Sequence, residues 1–260
     1  MSDDTDRPND SGSPVDDERL NLRRELRLAK DCVLTPEGLS GSIGVLLVML
    51  LWATWGRKPG LRPAEDLIYG AAHIVVMVLL PLLCGLFVLR LTPRDLGVTF
   101  GRPRVWLPIV LVFGALVAPF IYAATHNSMF MQFYPFWPGA RLKPEYFFLH
   151  QAVMFCVLFA NEFFFRGFML ASALRRMPAS AAIVFQMMPY AVGHGGKLPQ
   201  EFILSLVAGL GLGIMSYRGK SIWPGFMLHF LCALVVDVAA VPEIARQVPT
   251  AVLRLTGLSG

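Results

Sequence analysis

Charge is scarce in this chain. Asp, Glu, Lys and Arg together make up 16% of its 260 residues, against 55% hydrophobic residues, and the mean hydropathy is +0.56. A water-soluble domain is excluded by that balance, and an integral membrane protein is expected. Cysteine is also sparse: Cys32, Cys84, Cys156 and Cys232 are far apart, with no CxxC and no metal-ligand spacing, which excludes a disulfide framework. HExxH is absent, as are the glycine fingerprints of the Rossmann and P-loop nucleotide sites, so an energy-coupled pump is not expected. The apolar segments lack the period-two alternation of transmembrane strands, which excludes a membrane barrel. No apolar stretch begins near Met1, so membrane insertion is expected to start at the first transmembrane helix and not at a cleaved signal.

What the chain does have is apolar length. Residues 1–30 form a separate zone, acidic and rich in Pro, Gly and Ser at first, then basic from Arg19 to Lys30, and are read as a disordered cytoplasmic tail. Residues 31–260 form the transmembrane domain. Spanning about 30 Å of hydrocarbon takes roughly 20 residues of helix. Runs near that length begin close to Gly41, Leu67, Val105, Tyr146, Ala179, Glu201 and Ser221. The fold class is therefore all-α, a polytopic transmembrane helix bundle of about six to eight helices, with seven as the working count. Arg90, Arg94, Arg102, Arg104, Arg175, Arg176, Arg218 and Lys220 fall in alternate loops, which places the N-terminus in the cytoplasm. The net charge of +5 is thus read as membrane topology, and no nucleic-acid partner is expected. Gly209, Gly211 and Gly213 mark a face where two helix backbones approach closely. The aromatics Tyr134, Phe136 and Trp137, just before the fourth long run, are read as interface anchors.

Inside these apolar runs sit a few ionisable groups. Glu162 and Arg166 lie four residues apart in NEFFFRGFML, one turn along the same helix face. An ion pair that merely fixes helix packing and a functional pair are equally compatible with that spacing. His194 follows the fifth run, His229 lies within the seventh, and Asp237 comes two turns later. Polar groups on separate membrane helices are most cheaply satisfied together, so one water-containing cavity between the C-terminal four helices is expected. In it Glu162 would take a proton from water as general base, His194 would orient the water, His229 would donate toward the developing oxyanion, and Arg166 would hold Glu162. No cofactor is required by that scheme. Two His and one Glu also match a catalytic zinc site, so His194, His229 and Glu162 stand as metal ligands if there is one. A transporter with a Glu–His proton relay is a further reading, but no internal repeat supports it.

NEFFFRG, YAVGH and WPGFMLH resemble the three motifs of the CPBP family, the CAAX protease and bacteriocin-processing intramembrane proteases that include the type II CAAX prenyl endopeptidases and bacterial Abi proteins. The resemblance covers a core of about residues 146–241. It implies an intramembrane endopeptidase, a peptide or protein substrate at the bilayer, and residence in a bacterial cytoplasmic membrane. Arg166, His229, and Tyr190 with His194, fit the family pattern. Two positions depart from it. The first glutamate of the family's Glu-Glu pair, usually assigned as water-activating, is Asn161 here, and the Asn or Asp four residues after the last histidine is Ala233. Asp237, eight residues and about 12 Å along the helix from His229, cannot occupy that place. An inactive CPBP-like protein that binds a peptide or confers bacteriocin immunity is the alternative these two positions raise. Asn161, Tyr190, Arg166 and Asp237 are the supporting residues of either reading.

Overall fold

A computed structural model describes residues 34–55, 59–195, 197–244 and 246–247. The tail expected over residues 1–30 lies outside the described residues. Within them, all regular structure is helical. In chain order the helices are α1 (Pro36–Trp55), α2 (Pro63–Val88), α3 (Pro103–Thr125), the short α4 (Ser128–Phe133), α5 (Pro144–Ala173), α6 (Ala179–Val192), α7 (Pro199–Gly219) and α8 (Trp223–Ala240). Six of them are long and apolar enough to cross a membrane, and α6, with 14 residues, is the short seventh. The chain is an integral membrane protein.

Five of these helices begin on a proline: Pro36, Pro63, Pro103, Pro144 and Pro199. Proline at the first helical position gives up no hydrogen bond, because that N–H has no intrahelical partner anyway. The starts therefore lie upstream of where the apolar runs begin, and each first turn carries polar residues.

Helix α5 is the axis of the bundle. Of its apolar window 72% is buried inside the protein, against none of the corresponding window in α3, which packs on α7 and α8 at the periphery of the bundle. The phenylalanines of the FFFRGF run are interior groups: Phe163, Phe164, Phe165 and Phe168 are all buried against α1, α2 and Tyr190. Helices α6 and α7 approach closely. A Cβ on Gly209 would lie 2.8 Å from the Met187 side chain, and one on Gly213 would lie 2.6 Å from Gln186, so the glycine face predicted from the sequence does pack a neighbouring helix.

The two ends of the bundle differ. At one end the α1 start meets the α5 end, where Glu37 pairs with Arg176 at 3.0 Å, and Arg175 donates to the Leu89 carbonyl at the end of α2. The loop before α3 clamps the α7–α8 turn there, with Arg102 N–H donating to Gly219 and Ile222 N–H to Gly97. At the other end the segment between α3 and α5 folds inward over the helices. Trp137 is fully buried, donates its indole N–H to the Gly60 carbonyl, and packs on Ala140, Phe147, Val241 and Ile244. The interface-anchor reading of Trp137 and Phe136 is thus corrected. Trp137 belongs to a small core that closes this end, and the buried Phe136 packs on Tyr69 and Phe133, which is why an aromatic-rich loop gave a misleading signal.

Candidate active site

Glu162 closes the regular part of α5, and the helix continues as a π-helical segment over Phe163–Met169 that carries Arg166. A π segment inside a long helix is uncommon and is frequent at functional sites. It packs against a second π segment, Val75–Leu79 of α2. The widened turn puts Arg166 Nε 3.4 Å from Glu162 Oε2, so the predicted ion pair is present, with both side chains fully buried.

The other oxygen of Glu162 reaches a different helix. His229 Nδ1, on α8, lies 2.9 Å from Glu162 Oε1. A carboxylate only accepts, so Nδ1 carries the proton and Nε2 is left with a lone pair. The His194 ring obeys the same logic: its Nδ1 lies 2.9 Å from the Tyr190 carbonyl, so His194 Nε2 also presents a lone pair. Tyr190 gathers these groups. Its ring lies 4.7 Å from the His194 ring and 6.3 Å from the His229 ring, and the Arg166 guanidinium carbon sits 4.0 Å from its centroid. Four of the site residues expected from the sequence, on α5, α8 and the end of α6, therefore converge with Tyr190 at one place. Gly225 permits this approach, since a Cβ there would stand 3.3 Å from Glu162 Oε2.

Asn161 and Asp237 do not join them. The Asn161 amide donates back to the Val157 carbonyl of its own helix at 2.8 Å, so its side chain is turned along α5. Asp237 belongs to a second buried cluster. Its Oδ2 accepts from Gln151 Nε2 at 2.8 Å and lies 3.8 Å from His150 Nε2, while His150 Nδ1 is 3.0 Å from Asp66 Oδ2. Asp66, His150 and Asp237 are almost wholly inaccessible. This cluster ties α2, α5 and α8 together beneath the Trp137 loop. Sequence reasoning missed Asp66, His150 and Gln151. The available signal was polarity in the first two turns of two apolar helices, where such residues usually reach the membrane surface.

Lys197 and Glu201 pair at 2.9 Å, and Glu201 also accepts from the Tyr134 hydroxyl, which locks the inward-folded loop to α7. Burial, with the Glu201 carboxylate beside it, raises the Tyr134 phenol well above the usual tyrosine range, so it remains a donor. As for a metal, among the described residues no three His, Cys, Asp or Glu side chains are arranged to hold one.

Residues 143–235 match the family described as type II CAAX prenyl endopeptidase Rce1-like. The matched segment runs from the start of α5 into α8 and takes in all three motifs, which bears out the resemblance drawn from them. No curated protein and no solved structure matches the chain.

Proposed function

We propose, from the CAAX-protease match over residues 143–235, that this membrane protein is an intramembrane endopeptidase that hydrolyses a peptide bond of a membrane-associated peptide or protein. The observation that carries the reading is the hydrogen bond between Glu162 and His229, made across two helices, inside the bundle and backed by Arg166. Such a bond fixes the imidazole tautomer and stabilises the imidazolium that forms when Nε2 takes a proton. We assign the proton-accepting role to His229 Nε2 in preference to Glu162 itself, because both carboxylate oxygens already face a partner and the carboxylate has no exposed surface.

In this scheme a water donates one hydrogen to His229 Nε2 and the other to His194 Nε2, and its oxygen attacks the substrate carbonyl. The proton moves to His229, and Glu162 balances the new charge. Collapse of the tetrahedral intermediate breaks the C–N bond, and His229 returns the proton to the leaving amine. Arg166 and the Tyr190 ring hold Glu162 in place. The basic end of the bundle is placed in the cytoplasm by the positive-inside rule.

Asn161 favours a second reading, a peptide-binding protein that no longer cleaves. The carboxylate the family carries at that position is missing, and the amide that replaces it is bonded to its own helix. One experiment separates the two. Purified wild type, Glu162→Gln, His194→Ala and His229→Ala are presented with a membrane-tethered peptide library in nanodiscs, with and without chelator. Cleavage by wild type alone, insensitive to chelator, is the expected result. Peptide capture without cleavage by any of the four supports the binder, and cleavage abolished by chelator refutes the metal-free scheme.

A further inference from the structure

At the basic end of the bundle, on the far side of Arg166 from the Trp137 loop, lies a cavity of about 40 Å³. Among the residues lining it are Arg94, Asp95, Arg166, Ser216, Lys220 and Ser221. Its walls come from the α2–α3 loop, the π segment of α5 and the turn between α7 and α8. The turn is held rigidly by the loop, because Gly101 packs so tightly on the Gly219 and Lys220 carbonyls that no side chain fits there. Helix α8, 18 residues long, starts at this wall, so its positive end adds to the local field.

The donors in this cavity are unmatched. Arg166 is only 3% exposed; its Nε faces Glu162 Oε2 at 3.4 Å, but neither Nη1 nor Nη2 has a hydrogen-bond partner, and the buried Ser216 hydroxyl has none either. An unmet buried donor costs about 1–3 kcal/mol, so such a group calls for an acceptor. At the mouth stand two exposed cations, Arg94 and Lys220, the latter held 4.6 Å from the Tyr217 ring centroid. The acid in the lining, Asp95, accepts from the Thr92 N–H at 2.8 Å and the Thr92 hydroxyl at 2.7 Å, and its charge is offset by Arg94 and Arg175 nearby, so with Arg166 and Lys220 the lining stays net positive. A buried guanidinium fork, a buried hydroxyl and two cations at headgroup depth match the oxygens of a tetrahedral anion.

We propose that this cavity binds a phosphate oxyanion, either free inorganic phosphate or the headgroup of an anionic phospholipid. Occupancy satisfies the free Nη groups of Arg166, whose Nε faces Glu162, and so couples the membrane surface to the residue that holds Glu162. The site does not depend on the protein being a protease, and its test does not read cleavage.

Two arms distinguish the sources. In neutral detergent, thermal unfolding of the full-length protein is followed against inorganic phosphate, with chloride at matched ionic strength as control. In parallel, protein from nanodiscs of phosphatidylglycerol or of phosphatidylcholine is released for native mass spectrometry, and retained lipid is counted. A saturable rise in Tm with phosphate alone identifies the free anion, and selective retention of phosphatidylglycerol identifies the headgroup. In either case Arg94→Gln/Lys220→Gln, and independently Ser216→Ala, should weaken binding by at least about tenfold, the size of one lost charge-assisted hydrogen bond. Ser216→Ala removes one hydroxyl and keeps the test valid should the double charge variant fail to fold. No saturable effect in either arm, or binding unchanged in both variants, overturns the proposal.

Discussion

Replacing Glu162 by Gln and Arg166 by Met, singly and together, probes whether the two charges depend on each other inside the membrane. Both side chains are fully buried and 3.4 Å apart. Removing one partner leaves the other charge uncompensated, which costs about 3–5 kcal/mol. Arg166→Met also gives up the guanidinium contact 4.0 Å from the Tyr190 ring centroid, worth about 0.5–2 kcal/mol. In the double variant no unpaired charge remains, and only the ring contact and part of the His229 bond are lost. Its cost should fall short of the sum of the singles by at least about 3 kcal/mol, the upper end of the usual coupling range. Reversible unfolding in bicelles, read as four free energies, gives this coupling directly. Additivity within about 0.5 kcal/mol would refute the reasoning, since it would mean that water or lipid solvates each charge independently.

Gly225→Ala should lower peptide cleavage more than stability, because the added methyl would stand 3.3 Å from both Glu162 Oε2 and Leu212 Cδ2, and the carboxylate must give way. Wild-type turnover in a well-folded variant would count against that placement of Glu162. Asp237→Leu should destabilise the fold by about 2–5 kcal/mol by orphaning the buried Gln151 amide and the His150 ring, as measured by chemical unfolding. An unchanged midpoint would show that the second cluster carries no structural load. Asp95 supplies the pH dependence. The Thr92 backbone N–H, then the Thr92 hydroxyl, holds its carboxyl below the ordinary range, so its contribution is present above about pH 4 and lost as pH falls through the lowered value. In Asp95→Asn that portion of the acid sensitivity of Tm should vanish.

The helices were legible because length and proline punctuation survive any packing arrangement. The centre of the bundle was not. Helix α3 has a mean hydropathy of 2.3 and α5 only 1.6, yet α3 lies at the periphery and α5 is the axis. Lipid tails and a protein interior are equally apolar, so hydropathy cannot separate them. Glu162, Arg166 and His229 could be found because an ionisable side chain in an apolar run is costly wherever it points. The destination of Asp237 was hidden for the converse reason. A second set of buried polar groups, Asp66 and His150 on two other helices, competes for it, and no spacing along one chain reveals a partner more than 80 residues away. The tautomers of His194 and His229, from which the proposed roles follow, depend on contacts with a carbonyl and a carboxylate that only the folded chain supplies.

Helix α6 has 14 residues, a rise of about 21 Å, against about 30 Å of hydrocarbon. A bilayer meeting such a helix dimples toward it, drawing the headgroups and their water inward on that flank. His194 stands two residues past the end of α6, on the flank where such thinning would bring water inward. An α6 this short thus eases a supply problem that its longer apolar neighbours create, since a thinner bilayer on that flank shortens the path from bulk solvent to the polar cluster of Glu162, His194 and His229.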